Sequence, residues 1–330
     1  MKKSFYIYNT GSIKRKDNSI TFIDSEGNRK DIPIEQVDDL YIMSEMTLNT
    51  KLLNLLAQHN IAVHFFNYYS FYTGSFLPRR KYISGSLLVK QVECYLNSEE
   101  RLKIARSFVE GASYNIYRNL RYYNGRGKNL QEHMDSITEL MNKLPNARTV
   151  NELMGYEGNI HKIYYSAWPI IINQDVDFEK RVKHPPDNMV NTLISYVNTL
   201  IYTRVLSEIY KTQLDPTISY LHEPGTRRFS LSLDIAEIFK PLIGDRVIFS
   251  LLNKNQITEK SFTKGLDYLH LNKKSSQLIT SEVDKCLQRT IQHKDLNKTV
   301  SYQYLMRLEC YKLIKHFVGE KEYSPFKIWW

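Results

Sequence analysis

The sequence predicts an α+β chain: a small, strand-rich N-terminal domain with one helix, followed by a larger all-α bundle. Three observations predict it. Short runs of aromatic and β-branched residues separated by turn formers fill the chain as far as Phe76. From Ser86 onward the apolar residues recur every three or four positions, the period of a helix with one buried face. Between the two lies Pro78 and a basic, small-residue stretch, so the domains are drawn at residues 1–85 and 86–330.

In order, FYIYN (Phe5 to Asn9) reads as the first strand and is followed by Gly11. ITFID (Ile20 to Asp24) runs into Ser25-Glu26-Gly27-Asn28, the spacing of a hairpin turn. LYIM (Leu40 to Met43) is the next strand, and a helix from about Thr47 places Leu48, Leu52, Leu55 and Leu56 on one side. IAVHFF (Ile61 to Phe66) and SFYTGSF (Ser70 to Phe76) complete the strand-rich part. Beyond it, Thr149 and Glu152 form a T-x-x-E capping box ahead of Leu153. Pro185-Pro186 signals the start of a long buried stripe that includes Leu193, Val197, Leu200 and Ile201. Gly319 closes the helical stretch from Tyr302 to Val318.

With 330 residues, 42% hydrophobic, the chain can bury a sizeable core without covalent staples. Cys94, Cys286 and Cys310 are odd in number and widely spaced, which excludes a disulfide framework and a paired-cysteine zinc site, and favours a reducing cytoplasm. A polar Asn-Thr-Gly-Ser run follows only four apolar residues near the N-terminus, and the longest apolar run, Ala167 to Ile172, is far too short for a bilayer. Neither export nor membrane spanning is expected. The net charge of +10 points to a polyanionic partner. Its local clusters are Arg79 and Arg80 in PRRK, the RNLRYYNGRGK segment from Arg118 to Lys128, and Arg227 with Arg228. Cations interleaved with Tyr122 and Tyr123 suit phosphates and stacked bases, and a solvated loop gives the same composition.

The stretch LHEPGTRRFSLSLDIAEIFKP, Leu221 to Pro241, poses a charge problem. Asp234 and Glu237 are three apart on a helix otherwise made of Leu231, Leu233, Ile235, Ile238 and Phe239, so both acids share one face. Their charge needs a metal ion, an arginine or solvent to compensate it. His222, in the preceding loop, can turn back to that face, and one imidazole with oxygen ligands suits Mg²⁺ or Mn²⁺ better than structural zinc. Glu157, between Tyr156 and Gly158, is a third candidate acid. His161 lies one helical turn beyond it and reads as a surface or packing histidine.

Four motifs carry a family likeness: GYEGN around Glu157, KHPPDNMVNTLISY from Lys183, LDPTISYLHEPGTRRFSLSLDIAEIFKPLIGDRVI from Leu214, and the closing YSPF. In this order and at these separations the chain resembles the Cas-one family of CRISPR-associated endonucleases, the spacer-acquisition integrases, along its whole length. The resemblance implies that Glu157, His222 and Glu237 hold one catalytic divalent ion. Asp234 would lie beside it and assist the metal or orient a ligand. Where some members carry two adjacent acids, Glu237 is followed by Ile238. Asn191, in the Pro-Pro element, would pack near the site or serve the start of its helix. Arg227 and Arg228, between the ligands, with Arg79 and Arg80, are the expected DNA contacts.

The implied activity is insertion of short foreign DNA into a CRISPR repeat array, with a DNA 3′-hydroxyl attacking a phosphodiester. A structure-specific nuclease acting on branched DNA would use the same site with water as nucleophile. A non-catalytic nucleic-acid scaffold is the third reading, and it gives the ligand positions no purpose. The resemblance further implies a homodimer joined through the β-rich domain, a small partner protein bridging two dimers, and duplex and branched DNA as substrates.

Overall fold

A computed structural model of the chain describes residues 2–79, 82–182, 186–226, 229–264, 269–293 and 296–329. The chain divides into two compact units, Met1–Ile83 and Ser84–Trp330. In chain order the first unit runs β1 (Lys3–Ile7), β2 (Gly11–Lys16), β3 (Ser19–Asp24), β4 (Arg29–Pro33), β5 (Val37–Ile42), β6 (Met46–Leu48), α1 (Thr50–Gln58), β7 (Ala62–Phe66) and β8 (Tyr72–Phe76). They form two four-stranded sheets, β1-β5-β7-β8 and β4-β3-β2-β6. β5 runs parallel to both β1 and β7 and is buried along nearly its whole length, as a central parallel strand must be. Ile13, Ile20, Leu40, Leu52, Leu56 and Val63 join both sheets and the helix in one core.

Local chemistry fixes the turns. The Asp24 carboxylate accepts the amide hydrogens of Glu26 at 3.0 Å and Asn28 at 2.8 Å, and Gly27 takes φ +86°. At Gly11 a Cβ would sit 2.1 Å from the Ile23 carbonyl oxygen, so only glycine lets β2 open against β3. Three strands, β2, β4 and β6, leave no mark in the hydrophobic pattern. β2 is the instructive one, because only Ile13 among its residues is buried and Lys14 to Lys16 are exposed, so its pairing rests on backbone bonds. The helix starts later than the pattern suggests: Asn49 caps it by accepting the Leu52 amide, which leaves Leu48 in β6.

The second unit runs α2 (Gly85–Leu96), α3 (Ser98–Asn124), α4 (Gln131–Lys143), α5 (Val150–Ser166), α6 (Trp168–Ile171), α7 (Met189–Tyr210), α8 (Ser230–Phe239), α9 (Arg246–Asn253), β9 (Phe262–Lys264), β10 (Leu269–Leu271), α10 (Lys273–Gln288), β11 (Thr290–His293), β12 (Lys298–Ser301) and α11 (Tyr302–Phe317). The two short hairpins, β9–β10 and β11–β12, interrupt what the periodicity reads as helix alone. α8 packs between α3 and α7 and continues into α9 through a π-helical stretch, Lys240–Asp245. Pro241 sits in that stretch and has no N–H to keep the tighter ladder.

Thr149 caps α5 by accepting the Glu152 amide, while the Glu152 carboxylate accepts from the Arg148 amide, one residue outside a reciprocal box. α7 is capped by Asn188, whose side chain accepts the Asn191 amide at 2.9 Å. The cap thus falls just after the proline pair, of which Pro185 lies outside the described residues. Gly319 adopts φ +79° just after α11. The α+β class predicted from the sequence holds. Among the described residues no helix is long and apolar enough to cross a membrane.

Candidate metal centre

α5 and α8 bring the acids together. Glu157 lies at the middle of α5, and His161 follows one turn later on the same face. The His161 Nε2 stands 3.1 Å from Glu157 Oε1 and 3.6 Å from Glu237 Oε2 of α8. One ligand atom from each of these three residues falls within 4.8 Å of the others. Opposite oxygen ligands of one Mg²⁺ or Mn²⁺ are separated by about 4.2 Å, so the Glu157 and Glu237 carboxylates lie close enough to share a divalent ion.

The electrostatics are those of a cation site. Burial opposes a charge on His161, but the hydrogen bonds and charges of Glu157 and Glu237 outweigh it and push the imidazole up to about 10. An imidazolium at His161 therefore compensates the two carboxylates. Burial would raise Glu237, yet Lys240, then His161 and His222, hold its carboxyl well below the usual carboxylate range. Lys240 Nζ reaches Glu237 Oε1 from one turn further along. The Nδ1 of His161 is buried with no hydrogen-bond partner among the described residues.

Asp234 is fully buried and spends its carboxylate on the loop before α8. It accepts the backbone amides of Tyr220 at 2.7 Å, Leu221 at 3.0 Å and His222 at 3.0 Å, and its Oδ1 lies 2.8 Å from His222 Nδ1. This answers the charge problem for one of the two acids, which is satisfied by protein donors alone. It also fixes the imidazole: with Nδ1 as the donor to Asp234, Nε2 carries the lone pair. Burial opposes a charge on His222, but Asp234 and then Glu237 outweigh it and shift the group up.

Of the expected ligands, the structure brings Glu157 and Glu237 together and adds His161, while the ring of His222 is held at Asp234, outside that trio. His161 carries the needed signal in its sequence position, i+4 from Glu157, but a single histidine on an amphipathic helix is an ordinary residue and the spacing alone does not set it apart. Lys240 carries one too, at i+3 from Glu237. Gly158 faces open space in the site, so a side chain there would intrude on the cavity. Asn191 is fully buried and serves the frame: its carboxamide accepts from Val182 N and Arg181 and donates to Lys180 O and Asp187. It thereby secures the segment carrying Lys180 and Arg181, both of which line the site.

The cavity over these groups has a volume of about 890 Å³, and Lys162, Lys180, Arg181 and Lys240 share its wall with the acids. Behind it, Asp245 accepts the Tyr164 hydroxyl at 3.0 Å and is raised to about 7 by burial. Among the expected DNA contacts, Arg79 is exposed. Arg80, Arg227 and Arg228 lie outside the described residues.

In the helical unit, acids from two helices thus meet in a cavity walled by lysine and arginine. The family described as CRISPR associated protein Cas1 matches residues 5–285 of the chain. A CRISPR-associated endonuclease Cas1 of Fusobacterium nucleatum is 66% identical over 330 residues, covering 100% of this chain and 98% of its own. One from Clostridium perfringens is 45% identical over 333 residues, covering 100% of each chain. The solved structure of a Cas1 protein from Thermotoga maritima superposes with a TM-score of 0.88 at 40% identity, over 98% of this chain and 100% of that one. A casposase bound to integration product shares the fold at a TM-score of 0.87 and 21% identity, over 99% of this chain and 93% of that one. The chain belongs to the Cas1 family.

Proposed function

We propose that this chain is a divalent-metal-dependent DNA endonuclease and integrase of CRISPR adaptation, inserting short DNA fragments into a repeat array. The observation that carries the reading is the meeting of Glu157 and Glu237, from separate helices, in a cavity walled by lysine and arginine. Carboxylates in the wall of a site that binds phosphodiesters through cations repel the substrate unless they hold a metal. Glu157, His222 and Glu237 would hold Mg²⁺ or Mn²⁺, which supplies charge neutralisation at the phosphorane-like transition state and lowers the pKa of the attacking hydroxyl.

The chain's own groups do the rest. Asp234 keeps His222 in the tautomer that presents Nε2. His161 lies between the two carboxylates, where its charge would compensate theirs. Lys162, Arg181 and Lys240 bind non-bridging phosphate oxygens and orient the scissile strand. Arg79, Arg80, Arg227 and Arg228 are proposed as further DNA contacts. Lys240 also limits the repulsion between Glu237 and an incoming phosphate.

With a DNA 3′-hydroxyl as nucleophile the outcome is strand joining. With water it is cleavage of branched DNA, a reading that the endonuclease names of the relatives support. The β-rich unit would form the homodimer contact, and a small Cas2-type protein would bridge two dimers, a reading supported by a solved Cas6-RT-Cas1–Cas2 complex of the same fold. The test is a branched-product assay with a short duplex bearing 3′-hydroxyl ends, a repeat-bearing plasmid and Mn²⁺. Joined strands from the full chain, lost in Glu237→Ala, are expected. Robust joining by Glu237→Ala or His222→Ala would sink the metal assignment.

A further inference from the structure

Away from the metal centre, the helical unit contains a second cavity of about 1180 Å³ whose charged wall residues are all cations. α3 contributes Arg118 and Arg121 from its last turns, and the following turn adds Arg126 and Lys128. Arg246 and Lys254 stand at the two ends of α9, and Arg289 follows α10. Among the described residues none of these side chains is in an ion pair with a carboxylate. Two have neutral partners that fix their position and leave the charge uncompensated: Lys128 donates to Asn173 Oδ1 at 2.8 Å, and Arg246 donates to Asn119 Oδ1 at 2.8 Å.

The C-terminus of α3 accounts for part of this, because a helix end favours a nearby cation. One or two suffice for that, and the effect fades within a turn. Charges drawn from three separate segments onto one wall repel each other at every spacing, so they mark a surface shaped for an anion.

The same wall carries an aromatic ladder. Tyr123 packs edge-on against Phe249 at 5.3 Å, Tyr122 packs edge-on against Tyr123 at 5.1 Å, and the Arg126 guanidinium lies 4.6 Å over the Tyr122 ring. Tyr122 is 51% exposed. A rigidly seated, half-exposed ring among unpaired cations is what a base stacks on while its backbone is tracked by arginine and lysine. An acidic peptide would use the cations and leave the ring idle.

We infer that this groove is a second nucleic-acid site that takes a single-stranded DNA segment, phosphates on the cations and a base on Tyr122, outside the metal cavity. The inference rests on the reading of the chain as a DNA-processing enzyme, and it adds where an unpaired strand lies. Anisotropy of a labelled oligothymidylate in EDTA, where the metal-dependent reaction cannot run, tests it on the full chain. Combining Arg121→Glu, Lys254→Glu and Arg289→Glu, all exposed positions, is expected to weaken binding by a factor of about 100 and to shrink the log–log salt slope by about 0.7 per lost phosphate contact. Tyr122→Ala is expected to weaken oligothymidylate about tenfold and leave inorganic polyphosphate unchanged. The inference is overturned if the charge-reversed protein, with an intact melting curve, binds oligothymidylate as before. It is equally overturned if polyglutamate displaces the probe as readily as polythymidylate of matched charge, which would give the groove to an acidic protein. Strand transfer in Mn²⁺ is read separately: its absence beside intact oligothymidylate binding counts against the enzyme reading and leaves the groove standing.

Discussion

Two basic cavities of the helical unit differ in their acids: among the described residues, carboxylates line the first and none lines the second. Around Glu157 and Glu237 the cations Lys162, Lys180, Arg181 and Lys240 share the wall with acids, and His161 lies between the two carboxylates. In the second cavity Arg118, Arg121 and Arg289 share the wall with no acid among the described residues. On the proposed readings, the difference separates chemistry from grip. The acids of the first cavity would recruit a divalent ion that activates the attacking hydroxyl. Holding a strand requires only spaced cations and something flat to stack on.

The two cavities are joined through adjacent residues. Asp245 accepts the Tyr164 hydroxyl behind the metal centre, Arg246 lines the second cavity, and buried Asn119 bonds Tyr164 and Arg246 as well as the Pro241 carbonyl. A change at one cavity can therefore be distinguished from a loss of the shared frame by measuring both functions on the same variant.

The largest expected effect tests the acid-bearing cavity. Alanine at Glu157, His222 or Glu237 is expected to lower strand transfer by about 10³-fold or more, with double variants little worse than single ones because the ligands act as a unit. Duplex binding by filter retention should change far less, since phosphate contacts come from lysine and arginine. If binding and joining fall in parallel, the distinction between the cavities fails.

Asp234→Ala should come next. It leaves two buried amides, one part-buried amide and the His222 ring without their acceptor, so a loss of stability of about 3–5 kcal/mol by denaturant titration and a Mn²⁺ affinity weaker by about 10–100-fold are expected. Asp234→Asn, which keeps an acceptor, should recover part of the stability and less of the affinity.

His161→Gln decides which histidine faces the ion. If its imidazolium merely holds the cation's place, removing it should leave Mn²⁺ binding by calorimetry unchanged or tighter at neutral pH. Weakening by about tenfold or more would make His161 the ligand in place of His222. The pH dependence gives a second reading. The folded imidazole is pushed up to about 10, above its unfolded value near 6.5. Its contribution is thus complete below about 6.5 and fades as pH rises through about 10, so the metal-free protein should lose melting temperature over that window and His161→Gln should lose less.

The smallest expected effect lies on the shared frame. Asp245 is raised to about 7 by burial, so the folded state holds its proton where the unfolded chain has released it. Stability from this group is present below about 4 and is lost as pH rises through about 7. Asp245→Asn keeps the acceptor for Tyr164 and should raise the melting temperature at about pH 8 by a few degrees while changing nothing at about pH 4. A drop at the higher pH would mean that the negative charge itself is needed there.

What is legible in the sequence follows physical type. The leucine side of α1, the stripe of α7, and the buried strands β5 and β7 announce themselves because one face of a regular element must be apolar. β2 and β4 do not, because their side chains are mostly charged and their stability comes from backbone pairing to β3, which leaves no trace in residue type. Glu157, Asp234 and Glu237 are readable as acids in apolar company.

The sequence by itself therefore determined the α+β class, the family likeness, and the residue types that recruit a cation, because burial period and buried charge are properties of composition along the chain. Only the tertiary structure decided how those charges are shared. It gave Asp234 wholly to the loop of His222, set His161 between Glu157 and Glu237, and drew arginines from α3, α9 and the end of α10 onto one wall. These outcomes depend on distances between residues far apart in the chain. Coulomb and hydrogen-bond energies fall steeply over a few ångströms, so no local pattern encodes which acid meets which base.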